Sequence, residues 1–453
     1  MRGESLMADR SAEARIRDFT EVDCGISAEE AVMEATRCLR CKKPACVDGC
    51  PVGINIPKFL QYIEEEDFGS AIGIIKESNM LPAICGRVCP QEVQCEGECI
   101  LGVKDKPIAI GALERFLADW EREHGLTAPA VSEKRKETIA IVGSGPAGLT
   151  AAAELARNGF SVTVFEALHA AGGVLTYGIP EFRLPKKVVA AEIDEVKRLG
   201  VEIKTNHLVG RSVPVEELLS YDAIILATGA GLPAFMGIPG ENQIGVYSAN
   251  EFLTRVNLMH ANAFPQYDTP VKRGGNVVVI GGGNVAMDAA RVARRMGAEV
   301  TLVYRRRQED MPARLVEVHH AEEEGIRFLT CTNPTRIMGE GTVSGVEVVS
   351  MDMCEPDDSG RPSAKPIPGS EQIIPADVVI EAIGQSPNPL LIRMIEGLVR
   401  EKKGNLKVDP DGRTTVPEIF AAGDVATGAA TVILAMGAAK VAAESVKKMF
   451  DGE

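Results

Sequence analysis

A strand, a glycine-rich turn and a helix occur twice in this sequence at one constant offset. The first copy runs Thr138-Ile139-Ala140-Ile141-Val142, then Gly143-Ser144-Gly145-Pro146-Ala147-Gly148, then a helical stretch to about Asn158 that Gly159 closes. A second strand, Ser161 to Phe165, ends at Glu166. A lone glycine loop is a weak signal. Set between a strand and a helix, with an acidic residue about 20 positions on, it predicts a dinucleotide site. Gly143 then permits the tight turn, Gly145 lets the backbone reach a pyrophosphate, and Gly148 allows close helix packing. Unpaired N–H groups at the helix start, with Pro146 and Ala147, face the phosphates, and Glu166 accepts from a ribose hydroxyl.

The second copy places Gly281, Gly283, Ala286 and Gly297 where the first has Gly143, Gly145, Gly148 and Gly159. Two dinucleotides are therefore expected, the second against Gly281-Gly282-Gly283-Asn284-Val285-Ala286. The copies differ at one telling position: Glu166 is matched by Tyr304, and Arg305, Arg306 and Arg307 follow. A carboxylate there would repel a 2′-phosphate, whereas guanidinium forks bind one bidentately. Arg305 and Arg306 thus point to NADP(H) over NAD(H). The competing reading of the arginines is a solvated charged loop.

Companion motifs assign the first copy to FAD. Tyr221 to Gly229 reads as a buried strand ending in a turn at Thr228-Gly229, and Ile419-Phe420-Ala421-Ala422-Gly423-Asp424 repeats that form. Asp424 would accept from a flavin side-chain hydroxyl. A small-residue helix starting near Thr431 and Val432 would aim its positive end at the flavin. The order of motifs predicts one nucleotide-binding domain inserted in the other. The FAD-binding domain takes residues 137–245 and 386–453, and the NADP(H)-binding domain takes 246–385. The charged run 133–137 reads as a linker, and Glu381-Ala382-Ile383-Gly384-Gln385 as the return crossing.

Nine of the 11 cysteines precede residue 100. Cys38-x2-Cys41-x4-Cys46-x3-Cys50-Pro51 resembles a bacterial ferredoxin run, with x4 in place of the usual x2. Cys85-x3-Cys89-Pro90 and Cys95-x3-Cys99 follow. Thiolates this dense on short loops suit iron–sulfur clusters; structural zinc is the serious competitor. In such runs the fourth cysteine often serves the other cluster, which assigns Cys50 across. Cys24, Cys331 and Cys354 are isolated and read as small buried side chains. Apolar residues recur at helical spacing from Ala28 to Leu39 and from Ile56 to Ile75, so residues 1–132 read as a small α-helical iron–sulfur domain whose modest core metal would support.

The remaining composition serves mainly to exclude. A net charge of -15 disfavours nucleic acid. The longest apolar stretch, Val425 to Ala439, falls short of the roughly 20 residues that cross a bilayer and reads as a buried helix. The first ten residues carry no apolar segment, so no secretory leader and a cytoplasmic location are expected.

Together these features resemble the small (β) subunit family of NADPH-dependent glutamate synthase, which includes the flavin subunit of NADH-dependent ferredoxin:NADP oxidoreductase and the N-terminal half of dihydropyrimidine dehydrogenase. The cysteine groups carry the resemblance, with Gly143 to Gly148, Ala171-Gly172-Gly173-Val174-Leu175-Thr176-Tyr177-Gly178-Ile179-Pro180, Gly281 to Asp288, and Gly423-Asp424 through Ile433. It implies an α/β fold: a helical bis-[4Fe-4S] ferredoxin-like domain followed by two Rossmann-type domains. It adds Gly173, Val174, Gly178 and Arg183 to the cofactor-binding set. It also implies Cys38, Cys41, Cys46 and Cys99 for one [4Fe-4S] cluster, and Cys50, Cys89, Cys95 and Glu114 for the other. Spacing alone would choose Cys85 over Glu114.

The activity implied is hydride transfer from NADPH to FAD and electron passage through both clusters, with no acid, base or nucleophile required of the protein. No cysteine lies between Gly148 and Cys331, so a disulfide reductase is not expected. The partner implied is the large glutamate synthase subunit, or else a second flavin- or ferredoxin-type redox subunit in a bifurcating oxidoreductase or sulfide dehydrogenase; oligomerisation is also compatible. The sequence begins Met1-Arg2 without a cysteine nucleophile, so the chain alone is expected not to hydrolyse glutamine.

Overall fold

The computed structural model describes residues 8–125, 131–356 and 362–452; the start of the stretch read for a leader, through residue 7, lies outside them. Strands such as Thr138–Val142 and Ala223–Leu226 are apolar along nearly their whole length, as parallel strands covered on both faces must be. Among the described residues they build two five-stranded parallel sheets. The first has the order Ile419–Ala421, Ala223–Leu226, Thr138–Val142, Ser161–Phe165, Glu202–Lys204. The second has Val246–Ser248, Val378–Glu381, Asn276–Ile280, Glu299–Val303, Arg327–Leu329. Between them Leu232–Pro233 and Gln385–Ser386 pair antiparallel where the chain crosses out and back. The fold is α/β, two Rossmann-type units preceded by ferredoxin-like helices.

The helix after the first glycine loop, Pro146–Arg157, starts with proline in its first turn and stops at Asn158, where Gly159 takes φ +86°. Its Ala151, Ala152, Ala153 and Ala156 belong to one buried core with Ala435, Met436, Ala439 and Ala442 of the C-terminal helix Val432–Asp451. That core continues into the iron–sulfur helices through Ile84, Leu81, Phe59 and Leu113. The cysteine-bearing segment therefore shares a large core rather than depending on a modest one of its own.

Several elements differ from the sequence reading. The run from Ile56 to Ile75 is two helices, Ile56–Glu64 and Phe68–Ser78; Glu66 turns the chain at φ +57°, and the Asp67 carboxylate caps the second by accepting from Ser70 N at 3.0 Å. The stretch from Val425 to Ala439 is likewise broken. A turn Asp424–Thr427 ends at Gly428, φ +83°, before Thr431 caps the long helix by accepting from Leu434 N. An antiparallel sheet, Thr332–Gly339, Val343–Pro356, Pro362–Pro366 and Gln372–Pro375, was not anticipated; its Ile337, Val346 and Val348 pack on Val278, Ile280 and Val379 of the second parallel sheet.

Residues 8–25, at the start of the segment assigned to the iron–sulfur domain, form a strap that also reaches the second nucleotide unit, while Glu21 and Asp23 pair with Arg87 and Arg115 of the iron–sulfur helices. Val22 enters its core and donates from N–H to Phe182 O at 3.0 Å, while His320 Nε2 meets the Asp9 carboxylate at 2.8 Å. Arg15, 1% exposed, pairs with Glu323 and reaches Glu324 at 3.4 Å. Glu324 also binds Arg291 at 2.8 Å and Arg295 at 2.6 Å; Arg291 pairs with Glu317 as well. Burial alone would raise Glu317 and Glu324, but Arg183 and Arg291 for the first, and Arg295 and Arg291 for the second, hold both at about 2.

Both folded values lie below the ordinary 4.5, so the ionised carboxylates contribute fully above pH 4.5 and lose that contribution as pH falls through about 2. Glu324→Gln leaves buried guanidinium groups underpaired and is expected to cost about 3–5 kcal/mol in denaturant unfolding. Its acid-unfolding curve below pH 4.5 is expected to be shallower than that of the parent.

Candidate cofactor sites

Four loops meet at the carboxyl ends of the first sheet, where ligands of such sheets bind. Gly143 takes φ +103°, and a Cβ there would lie 2.4 Å from Ala227 O and 3.3 Å from Thr228 Cα, which brings the turn against the segment that Gly229 follows. Gly173, at φ +54°, approaches so closely that its Cβ would sit 2.8 Å from Gly145 Cα. A Cβ on Gly423 would lie 2.9 Å from Ala147 Cβ. This backbone-lined cradle admits a flat, phosphate-bearing group where side chains would fill the space.

Within it, Glu166 accepts from Ser144 N at 3.1 Å and Ser144 Oγ at 2.5 Å, and from Leu168 N at 2.8 Å. Gly172 N donates to Ser144 Oγ at 3.0 Å, which ties the second glycine loop to the first. Burial, together with the charges of Glu166 and Asp424, pushes the Tyr177 hydroxyl up to about 12, so these three groups share one locale. Burial also raises Asp424, opposed by its bond from Ala430 N. Thr431 and Val432 open the C-terminal helix beside it. Val174 is partly exposed, and Gly178 packs against it. The sequence reading missed Lys186, whose Nζ donates to Leu175 O at 3.0 Å and Leu184 O at 3.2 Å and so holds the Gly173 to Arg183 segment in place.

Arg183 must be corrected. Its guanidinium lies on Asp288 at 2.8 Å and Glu317 at 2.8 Å, joining the two nucleotide units rather than facing a cofactor.

In the second unit a Cβ on Gly281 would sit 2.4 Å from Ala382 O, and one on Gly282 would sit 2.6 Å from the Tyr304 ring. Tyr304 thus covers the loop, its hydroxyl donating to Asp310 O at 2.9 Å. A Cβ on Gly283 would meet only Pro312 Cγ, at 4.0 Å, and Asn284, Val285 and Ala286 begin the helix Asn284–Arg295. Gly384 O accepts from Ala234 N at 3.0 Å, at the crossing. The arginines separate: Arg305 and Arg307 are exposed, whereas Arg306 is buried with Nε donating to Pro362 O at 2.7 Å. The structure therefore does not present Arg306 as a phosphate fork.

The cysteines fall into two groups. Cys38, Cys41, Cys46 and Cys99 line one pocket with Ile56, Leu60 and Ile110. These thiols line a space of the kind that the ligands of a multi-atom cluster enclose. Burial pushes the Cys46 thiol up to about 11 and raises Cys38 as well, so both need a cation to lose their protons. Cys50, Cys89, Cys95 and Glu114 lie near one another: burial raises the Cys95 thiol, as do the charges of Glu96, Glu114, Cys50 and Cys89. Burial pushes the Glu114 carboxyl up to about 8, opposed by the amide of Asn79 donating at 2.7 Å, a residue the sequence reading also missed. Cys85 is fully buried and lies beside this group. Cys24 is exposed, and Cys331 and Cys354 are half-buried, so none is the buried side chain expected of it.

Arg314 links the second unit to these cysteines. Its N–H donates to Asn284 Oδ1 at 2.9 Å, and its guanidinium meets Glu92 at 3.1 Å and Gln91 at 3.1 Å, in the loop between Cys89 and Cys95.

Residues 137–443 match the profile of the pyridine nucleotide-disulphide oxidoreductases, and residues 15–126 that of dihydropyrimidine dehydrogenase domain II, 4Fe-4S cluster. The chain is 37% identical to the glutamate synthase [NADPH] small chain of Halomonas elongata, over 98% of this chain and 95% of that one. It is 39% identical to the NADP(+)-dependent formate dehydrogenase subunit beta of Moorella thermoacetica, over 88% of this chain and 59% of that protein. Mycobacterium tuberculosis FprA in complex with NADPH shares the fold, with TM-score 0.60 and 23% identity over 70% of this chain and 85% of that one. The cofactors of the present chain are FAD, NADPH and [4Fe-4S] clusters, and it belongs to the glutamate synthase small-chain family, as an NADPH-dependent iron–sulfur flavoprotein oxidoreductase.

Proposed function

We propose that this chain is the electron-input subunit of a glutamate synthase, oxidising NADPH and delivering the electrons to a large subunit that converts glutamine and 2-oxoglutarate to glutamate. The observation that carries this reading is the packing of the flavin side onto the cysteine side. The C-terminal helix, which starts at the Gly423–Val432 cradle, lies so close to the second cysteine group that a Cβ on Gly437 would be 2.7 Å from Pro51 O. The end-to-end match to a small chain supports the choice of partner.

A flavin held in these cradles would supply hydride acceptance and one-electron release, and iron–sulfur clusters held by the cysteine groups would supply onward one-electron transfer. The residues position and insulate. Gly143, Gly145, Gly148 and Gly173 let the backbone meet a pyrophosphate, Glu166 and Asp424 accept from sugar and ribityl hydroxyls, and the Thr431–Val432 helix start favours negative charge. Thr228 and Gly229 close the same cradle. Gly281 to Ala286 hold the second dinucleotide, and Arg305, with Arg307 in place of Arg306, meets its 2′-phosphate. Cys50, Cys89, Cys95 and Glu114 form the near cluster site, and Cys38, Cys41, Cys46 and Cys99 the far one, where the exposed Leu39 and Ile100 surround the pocket.

A second reading keeps the input role and changes the partner, since the formate dehydrogenase subunit is about as similar. Anaerobic NADPH addition to the cluster-loaded chain is expected to bleach the flavin, with no turnover when glutamine and 2-oxoglutarate are added. Glutamate formed by the isolated chain would refute the two-subunit reading; turnover restored by another type of redox subunit, and not by a large synthase chain, would establish the second.

Arg305→Ala is expected to raise KM for NADPH by roughly 10-fold or more, the worth of a charge-assisted hydrogen bond, while leaving NADH oxidation nearly unchanged. Arg306→Ala is expected to affect stability rather than this preference, as KM and unfolding measured side by side will separate.

A further inference from the structure

Cys38, Cys41 and Cys46 reach the far pocket on one short stretch, whereas Cys99 reaches it on another, at the entry to the turn Ile100–Val103. Three thiols on one loop leave the fourth position to the other, so the set is complete only while the two stretches stay together. What joins them lies just outside the pocket. The helix Ala28–Thr36 ends at Arg37, the residue before Cys38, and Cys38 N donates to Ala35 O at 3.1 Å. The Arg37 guanidinium donates across to the chain that follows Cys99, to Lys106 O at 2.7 Å and Pro107 O at 3.5 Å. It also donates to both carboxylate oxygens of Glu34, at 2.7 and 2.8 Å, one turn back on the same helix. Glu34 is buried, and one of those oxygens accepts from Ala109 N at 2.8 Å, just before the helix Ile110–His124.

A single ion pair thus grips three main-chain groups of the second stretch, at Lys106, Pro107 and Ala109. Neither of its side chains lines the pocket itself. We propose that Arg37 and Glu34 are positioning residues for the far cluster: their pair clips the Cys99 stretch to the Cys38 stretch and keeps the fourth thiol where the cluster needs it. Order that the polypeptide already has need not be imposed by the metal, so a preformed site holds its cluster more tightly. This inference rests on the assignment of Cys38, Cys41, Cys46 and Cys99 to one cluster, so its test must separate the two.

The electron paramagnetic resonance signals of the reduced, cluster-loaded full chain are followed while a ferrous chelator removes iron, with bound flavin monitored throughout. Cys41→Ala and Cys99→Ala mark the far signal, since both are expected to remove or alter the same one. In Arg37→Ala that signal alone is expected to be lost roughly 10-fold faster than in the parent, the scale on which groups behind metal ligands act. Arg37→Gln, which keeps the side-chain stem but not the charge, is measured beside it and is expected to show the same selective loss should the alanine variant fail to fold. Chelation rates equal to the parent's would overturn the proposal and leave the assignment intact. Faster loss of both signals, or release of flavin, would show a general weakening of the fold and overturn it too. Any other pattern from Cys41→Ala and Cys99→Ala would overturn the assignment, and the proposal with it.

Discussion

The close packing of the helix Val432–Asp451 governs the relation between the two cofactor regions. Its Ala435, Ala439, Ala442 and Ala443 are small enough for the glycine-loop helix Pro146–Arg157 to lie against it, and Gly437 lets it approach the loop at Pro51. Any bulkier residue on that face would push the iron–sulfur helices outward, because a well-packed interior has no spare volume. The distance between the flavin cradle and the nearer cysteine group is therefore set by side-chain size on one helix.

A different force fixes the two nucleotide units to each other. Arg183 from the first and Asp288, Glu317 and Arg291 from the second form a buried ionic cluster that the strap residue Arg15 extends through Glu324. Such groups are costly to desolvate singly and are tolerable only as a paired set. They favour one relative orientation of the units, since rotation would separate charges out of reach of water. Arg314 adds a polar tie from the second unit to the Cys89–Cys95 loop.

Much of this was legible in the sequence because it depends on local rules. The glycine loops, their flanking strands and the helix stop at Gly159 follow from backbone sterics, and the cysteine groups announce themselves by spacing. The two broken helices were not, since apolar periodicity runs through Glu66 and Gly428 without registering the turn. Arg183 and Arg306 were misjudged for a different reason. An arginine near a nucleotide motif looks the same in sequence whether its charge faces a phosphate or, as here, Asp288 and the Pro362 carbonyl. Lys186, Asn79 and Arg314 gave no signal, because their partners are distant in the chain or are main-chain atoms. The strap at residues 8–25 was hidden likewise, with its docking surface some three hundred positions further on.

The split first sheet gives the order of synthesis a structural meaning. Strand Ala223–Leu226 pairs on one side with Ile419–Ala421, which emerges only after the whole second sheet has been made. Until then its edge is open, and the apolar faces of Pro82–Val88 and Pro146–Arg157 await the last helix. A nascent chain of this design displays unpaired edge and core surface for a large part of its translation, the condition under which large proteins aggregate. That same interval leaves the Cys85 side of the helix Pro82–Val88 uncovered until Met436 of the final helix packs on it.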